Sequence, residues 1–288
     1  YPASSNIPKA HLLIGECYFH QNRFLDALSK FEEILNQPKL TKDIKDAVLY
    51  WIAEVHFKGN DFTKAQNYYQ KIIEEFPNSP YLPDAYYSLG WCLFESKNFV
   101  KAQEVFEAVE QKFPKQAIAQ DSSFKIIECI YNLKDYHKLK DRIKTCLKLY
   151  AKDTARIPYL YFYLAEADYY LNNFQEAIDG YSKTIVNTND DKVKALSKLG
   201  IGWSYLKLKQ YQQTQDTFLE IKPESLEKRS LDVLLLGNAI LYFETSKFNE
   251  AKNVYNELLS VTVDPIVLSQ AYLGKADALY NLAEYKEA

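Results

Sequence analysis

Apolar residues along the chain recur at the spacing of amphipathic helices, in short segments that polar breaks separate. Within residues 85–94, Tyr86, Leu89, Gly90 and Leu93 fall on one helical face. The polar residues 96–98 follow, and a second amphipathic segment covers residues 99–112. This second segment is followed by Pro114, and a proline disfavours helical backbone in the residue before it. The pattern therefore predicts two consecutive helices joined by a short turn.

This two-helix pattern repeats along the whole chain. Each copy carries an aromatic residue, an alanine three positions later and a large apolar residue four positions after that, as in Phe99, Ala102 and Phe106. The positions equivalent to this alanine are 27, 65, 102, 139, 177, 214, 251 and 288, so that successive copies are 37 or 38 residues apart. The spacing predicts seven helix pairs plus the first helix of an eighth, in a single domain over residues 1–288 that is truncated at both ends.

Small residues recur at one position of the first helix, which we number as the eighth residue of each copy. Glycine or alanine there lets the two helices of a pair approach closely. The fourth copy departs from the pattern, with Ile127 at the eighth position and Leu139 in place of the alanine of the second helix. We therefore expect residues 121–150 to form a bend or a segment of low stability. The small residues are Gly15, Ala53, Gly90, Ala165, Gly202, Ala239 and Ala276.

At these residues the sequence resembles the tetratricopeptide repeat family. The third copy carries the family pattern at Tyr86, Leu89, Gly90, Leu93, Ala102, Phe106, Val109 and Pro114. The resemblance covers the whole chain and implies an all-α, right-handed superhelical solenoid of antiparallel helix pairs. It also implies that the first helix of each pair lines a concave face. The period of 37–38 residues exceeds the family's usual length of about 34 residues, so the links between copies are longer.

One link resembles a bacterial branch of this family. The residues Phe-Pro-Asn-Ser-Pro at 76–80, followed by Asp84-Ala85-Tyr86-Tyr87, are similar to cell-envelope proteins. These are coordinators associated with the Tol–Pal system and the lipoprotein of the outer-membrane β-barrel assembly machine. The resemblance implies a role in bacterial cell-envelope assembly and a periplasmic or outer-membrane-associated location. The residues alone leave a cytoplasmic location open.

The fifth, ninth and twelfth residues of each first helix share a face that points away from the partner helix. Aromatic residues and carboxylates dominate this face, and neither Lys nor Arg occurs at these positions. Exposed apolar strips of this size are uncommon without a partner, so we predict a groove that binds a peptide with apolar anchors and some Lys or Arg. The candidate partner-binding residues are Glu16, Phe19, Tyr50, Glu54, Phe57, Tyr87, Trp91, Phe94, Phe124, Glu128, Tyr131, Phe162, Glu166, Tyr169 and Trp203.

Two alternatives stay open for this face. Large residues at the fifth and twelfth positions can also pack between neighbouring first helices, as core. The glutamates are harder to place in a core, because an unpaired buried carboxylate is costly. They are either exposed in the groove or paired with Lys58 and Lys125. A clamp for a terminal carboxylate is excluded, because the positions where the family uses Lys and Asn hold Leu12 and Glu16.

Charge and motifs narrow the function classes further. The chain has 35 Lys and Arg against 38 Asp and Glu, for a net charge of −3, which argues against nucleic acid as a partner. The longest strongly apolar stretch without a charge, residues 233–243, is shorter than the roughly 17–25 residues that span a membrane. The four histidines and four cysteines lack metal-ligand spacing, and no phosphate-binding or nucleophile motif occurs. We expect no enzyme activity, no cofactor and no metal.

The function that follows is a non-catalytic scaffold for a partner polypeptide. The alternative is a structural subunit that oligomerises, or docks on a larger machine, through its convex face and ends. On that view the last helix, with Leu273, Ala276, Leu279 and Tyr280, packs either on a neighbour, in end-to-end self-association, or on residues outside this sequence. An accessory region of a longer enzyme is a third possibility.

Overall fold

A computed structural model describes residues 7–37 and 40–285. The prediction of an all-α repeat is confirmed, since the regular elements in these ranges are α-helices and one 3₁₀ turn, Pro223–Ser225. The helices are α1 (Ile7–His20), α2 (Phe24–Leu35), α3 (Lys42–Lys58), α4 (Phe62–Glu75), α5 (Leu82–Glu95), α6 (Phe99–Lys112), α7 (Ala117–Asn132), α8 (Tyr136–Leu149), α9 (Ile157–Tyr170), α10 (Phe174–Asn187), α11 (Asp191–Lys207), α12 (Tyr211–Leu219), α13 (Lys228–Glu244), α14 (Phe248–Val261) and α15 (Pro265–Asn281).

The predicted period is visible in the backbone of the turns that follow the first helices. Each turn holds one non-glycine residue in the left-handed region, with φ between 59° and 62°, and these residues are 37 or 38 positions apart. In the first turn, the N–H of Asn22 donates to the carbonyl of Phe19, and the N–H of Arg23 donates to the carbonyl of Tyr18. This pair of bonds closes a helix end in a Schellman motif. The left-handed residues are Asn22, Asn60, Lys97, Lys134, Asn172, Lys209, Ser246 and Ala283.

The close approach predicted for the small residues is confirmed at the glycine positions. A Cβ atom on Gly90 would lie 2.6 Å from Cε1 of the buried Phe106 ring, which belongs to the second helix of the same pair. Only a residue without a side chain allows this ring to reach the backbone of α5. The same contact joins Gly15 to Phe31 in the first pair. The copies with glycine thus pack a phenylalanine ring directly on the first helix.

The copies with alanine at the eighth position carry tyrosine on the second helix instead. The pairs are Ala53 with Tyr69, Ala165 with Tyr181 and Ala239 with Tyr255. These tyrosine rings extend towards the first helix of the following copy, where the facing residue is small. A Cβ on Gly200 would lie 2.3 Å from Cζ of Tyr181, and a Cβ on Gly274 would lie 2.3 Å from Cζ of Tyr255. The repeat therefore packs in two modes, glycine with phenylalanine and alanine with tyrosine.

The chain divides into two compact units, residues 1–135 and residues 136–288. The boundary falls at the turn of the fourth predicted pair, the copy that lacks small residues. The first unit holds α1–α7 around buried residues that include Phe31, Ile52 and Tyr69. The second unit holds α8–α15, with Tyr181 and Phe218 among its buried rings. A single domain over residues 1–288 stays a prediction.

Candidate peptide-binding face

The predicted site residues divide between the two units. Those from Glu16 to Tyr131 lie on α1, α3, α5 and α7 of the first unit, and those from Phe162 to Trp203 lie on α9 and α11 of the second. Phe19 is buried, and the other fourteen are half-buried. We call the eleven positions of the first unit the first-helix face. Its side chains are partly covered by neighbouring residues and keep part of their surface open to solvent.

The aromatic rings at the twelfth position pack against their own turn. In six copies the partner is the aromatic ring five residues later, in an edge-to-face contact with centroids 5.2–5.7 Å apart. Such contacts favour a fixed turn geometry. The pairs are Phe19 with Phe24, Phe57 with Phe62, Phe94 with Phe99, Tyr169 with Phe174, Phe243 with Phe248, and Tyr280 with Tyr285. These rings therefore have a structural role within each copy.

A pair of stacked tyrosines marks the middle of the first-helix face. The rings of Tyr50 and Tyr81 have centroids 4.6 Å apart and planes inclined by 22°. Burial, followed by the negative charges of Glu54 and Asp84, raises the pKa of Tyr50. Burial and then the charge of Glu16 raise the pKa of Tyr81. Carboxylates thus surround the stacked pair. Sequence reasoning missed Tyr81 because it lies in a link between copies.

Glu54 is held by hydrogen bonds. The phenol of Tyr69 donates to its Oε1 at 2.5 Å, and the hydroxyl of Ser88 donates to the same oxygen at 3.4 Å. Pairing with Lys58, which the sequence left open as one alternative, is not the arrangement of Glu54, and the Lys58 side chain is exposed. A bond from tyrosine satisfies a half-buried carboxylate without a cation.

The same bond occurs in the second unit, where the phenol of Tyr181 donates to Oε1 of Glu166 at 2.5 Å. In both units the tyrosine follows the glutamate by fifteen residues. That spacing, in a copy of the alanine–tyrosine type, is the sequence signal that would have identified the donor.

A second feature of the first-helix face is an ammonium-binding cluster. It consists of Trp91, Phe94, Lys125 and Glu128. Nζ of Lys125 lies 3.6 Å from the centroid of the Trp91 ring and 5.1 Å from that of the Phe94 ring. The same atom donates to Oε2 of Glu128 at 2.6 Å. The predicted pairing of Glu128 with Lys125 is thus confirmed. The contact with Trp91 was missed, because Lys125 belongs to the following copy.

The predicted residues of the second unit are mainly involved in packing. The ring of Phe162 meets that of Tyr181 edge to face, with centroids 5.7 Å apart. The Trp203 ring packs with buried residues of two core clusters, and a Cβ on Gly237 would lie 3.3 Å from its Cε2. These contacts support the alternative that large residues at these positions belong to the core.

Histidine and cysteine side chains, which could act in catalysis or metal binding, are packed among other residues at His56, Cys92 and Cys129. His56 stacks on Tyr68 with ring centroids 5.7 Å apart, and burial lowers its pKa. Burial raises the pKa of the Cys92 and Cys129 thiols to about 12, which keeps them protonated. Cys17 occupies the equivalent position in the first copy but is exposed.

Residues 7–37 and 40–285 also bear on other function classes. No group of His, Cys, Asp and Glu side chains in these ranges is arranged to hold a metal ion. No helix in the same ranges is both long and apolar enough to cross a membrane.

Comparison with known proteins agrees with this geometry. Residues 47–79 and 84–115 match the sequence model of the tetratricopeptide repeat. A tetratricopeptide repeat protein from Parabacteroides merdae superposes with a TM-score of 0.66 at 10% identity, over 93% of this chain and 98% of that chain. The apo form of RapI superposes with a TM-score of 0.67 at 16% identity, over 97% of this chain and 86% of that one. The protein YrrB, described as a TPR protein with an unusual peptide-binding site, gives 0.50 at 12% identity, over 64% and 87%.

These similarities show an all-α helical repeat fold like that of tetratricopeptide repeat proteins. The two matched segments coincide with the second and third copies found in the sequence, which supports the family assignment made there. The identities of the structural relatives show the fold alone. A search of curated proteins gives no significant match.

Proposed function

We propose that the protein is a non-catalytic scaffold that binds a partner polypeptide along the first-helix face of the first unit. The fold is typical of proteins that mediate protein–protein interactions, and one structural relative is described as having a peptide-binding site. The partner segment that fits is extended or helical, with apolar side chains that contact the rings and basic side chains that meet the carboxylates.

The proposal rests on the carboxylates that lie near the rings of Tyr50 and Tyr81. Glu16, Glu54 and Asp84 lie near these rings, and among the described residues none of the three carboxylates has a Lys or Arg within ion-pair distance. Burial also raises the pKa of Asp84. Two half-buried carboxylates and one exposed carboxylate, without cationic partners and beside stacked rings, favour a cationic, partly apolar ligand.

The test is a titration with two synthetic peptides, one that alternates lysine with leucine and one that alternates glutamate with leucine. We expect only the lysine peptide to bind, and to bind more weakly as salt is added. Glu16→Lys should weaken binding several-fold. The matched control is Glu104→Lys, an exposed charge reversal on α6, which should leave binding unchanged. Equal binding of both peptides, or equal effects of the two substitutions, would refute the assignment of the face.

A role in bacterial cell-envelope assembly is a further part of this proposal. It rests on the resemblance of residues 76–80 and the following helix start to envelope proteins of this repeat type. Fractionation of the native host cell tests it directly. Recovery of the protein with the periplasm or the outer membrane would support it, and recovery only with the cytoplasm would refute it.

A second candidate function, self-association, rests on the outer face of α15. Ile266, Leu273 and Tyr280 are each 67% exposed and lie seven residues apart, on one side of the helix. The proposed occupant of the α15 face is α15 of a second copy, because a two-fold dimer uses one patch on both subunits.

Light scattering after size exclusion, over a range of concentrations, tests this second candidate. We expect a dimer that Leu273→Glu dissociates. The control is Leu219→Glu on α12, which introduces a charge at an exposed leucine of the same unit (75% exposed, against 67% for Leu273) and should leave the dimer intact. A monomer at every concentration would refute self-association.

A further inference from the structure

The ammonium-binding cluster of Trp91, Phe94, Lys125 and Glu128 is built like a site for a cationic side chain. The rings of Trp91 and Phe94 meet edge to face with centroids 6.0 Å apart, and Nζ of Lys125 lies within 5.1 Å of both centroids. Glu128 provides the anion at 2.6 Å. Two aromatic faces and one carboxylate are the groups that recognise ammonium and guanidinium ions in proteins.

The cation in this cluster belongs to the protein itself. Lys125 is the sixth residue of its copy, and no other copy has a basic residue at that position. Its side chain is 14% exposed and that of Glu128 is 29% exposed, so the cluster lies at the surface of the first-helix face. Lys125 and Glu128 lie three residues apart on α7, whereas Trp91 and Phe94 belong to α5.

We propose that Lys125 is an internal competitor that occupies, in the unbound protein, the position of a lysine or arginine side chain of the bound peptide. The inference rests on the proposed function and adds its regulation. Binding would exchange one ammonium for another over Trp91, so that Lys125 moves to solvent. An intramolecular cation of this kind lowers affinity for all ligands and selects those that place a cation at this point.

Lys125→Met tests this proposal, because it keeps the length of the side chain and removes the charge. With the lysine–leucine peptide, we expect binding about 2-fold to 30-fold tighter than for the unmodified protein, the range that corresponds to one cation–π contact. Lys101→Met, an exposed lysine on α6, removes the same charge elsewhere and is the matched control. It should change the affinity little, and both variants should keep the helical circular dichroism spectrum.

Tighter binding by Lys125→Met could result from the loss of a competing cation or from the removal of a steric obstacle. A second peptide, with norleucine in place of lysine, distinguishes these two causes. The gain from Lys125→Met should be lost with this peptide. The indole N–H resonance of Trp91, assigned by its absence in Trp91→Phe, should shift when the lysine peptide binds. An equal gain with both peptides, no gain, or an unchanged Trp91 resonance would overturn the proposal.

The outcomes also distinguish this inference from the proposed function. If the lysine peptide binds and Glu16→Lys weakens it, while Lys125→Met has no effect, the peptide-binding face is supported and the competitor role of Lys125 is refuted. If neither the unmodified protein nor Lys125→Met binds the peptide, both proposals fail.

Discussion

Replacing Gly202 by alanine tests the packing mode that joins a glycine to a phenylalanine ring. A Cβ on Gly202 would lie 2.2 Å from Cε1 and 2.5 Å from Cδ1 of Phe218, far inside van der Waals contact. The ring has no room to move away, because its opposite edge faces Gly237, where a Cβ would lie 2.8 Å from Cζ of the same ring. The backbone or the ring must therefore shift.

The expected magnitude is the difference between two effects. Overpacking a core by one methyl group costs about 1–3 kcal/mol, whereas alanine in place of glycine inside a helix gains up to about 1 kcal/mol. Since both sides of the Phe218 ring are occupied, we expect overpacking to dominate, with a net loss of about 1–2 kcal/mol in the free energy of unfolding. Without the clash, the substitution would instead raise the free energy of unfolding.

The control is Gly59→Ala, because a Cβ there would meet only two carbonyl oxygens at 3.5 Å. At that exposed helix end we expect a change between zero and a gain of about 1 kcal/mol. Urea unfolding followed by circular dichroism gives the midpoints, and amide exchange in α11 and α12 shows whether the loss is local, since repeat proteins can unfold in parts.

A smaller partner should relieve the clash. Phe218→Leu ought to cost less in the Gly202→Ala background than in the unmodified protein, as a double-mutant cycle would show. A Gly202→Ala midpoint equal to or above that of the unmodified protein would refute the packing argument.

Three further predictions concern single residues and one concerns a segment. Tyr69→Phe removes the hydroxyl that donates to Glu54 and should lower the free energy of unfolding by about 1.5–3 kcal/mol in urea; an unchanged midpoint would contradict this. Burial lowers the pKa of His56 below its ordinary 6.5, so the free energy of unfolding should decline as the pH falls below that value. The same pH profile in His56→Gln would contradict this. Lys97→Gly relieves a left-handed φ of 59° and should raise stability by up to about 1 kcal/mol, so a lower melting temperature would argue against strain. Amide exchange should be faster over residues 121–150 than in neighbouring copies, and uniform protection would refute the expected loosening.

The fold was predictable because one period governs several independent features. The alanines of the second helices, the small residues at the eighth position and the left-handed turn residues all recur at 37 or 38 residues. A single copy such as residues 85–112 would not distinguish this fold from another helical hairpin. Seven similar intervals indicate stacked copies, because each pair must cover its apolar face with the next.

The candidate site was predicted only in part. The acidic and aromatic character of the first-helix face follows from residues such as Tyr50 and Glu54. The stack of Tyr50 on Tyr81 and the position of Lys125 over Trp91 did not follow, because both join different copies. Such contacts depend on how far each copy rotates relative to the previous one, and the length of the repeat does not specify that rotation.

The bond between Tyr69 and Glu54 is a different case, because its signal is in the sequence. Both residues belong to one copy and are fifteen positions apart, on facing helices. A comparison of copies would have found the same pair at Tyr181 and Glu166. The copies with phenylalanine at this position have no phenol to donate, which explains why Glu16 lacks this bond.

A copy of the alanine–tyrosine type restricts the copy that follows it, because its tyrosine ring needs a small residue on the next first helix. The Phe31 ring is followed by a bulky neighbour, the stacked Trp51, whereas Tyr69 is followed by the small Ser88, whose hydroxyl meets the same carboxylate. A copy therefore accepts some successors and rejects others. Excision of residues 83–119 would bring Lys125 to the place of Ser88 beside Tyr69. If this protein is shortened by whole repeats, the junction must therefore be chosen so that each tyrosine still faces a small residue on the following helix.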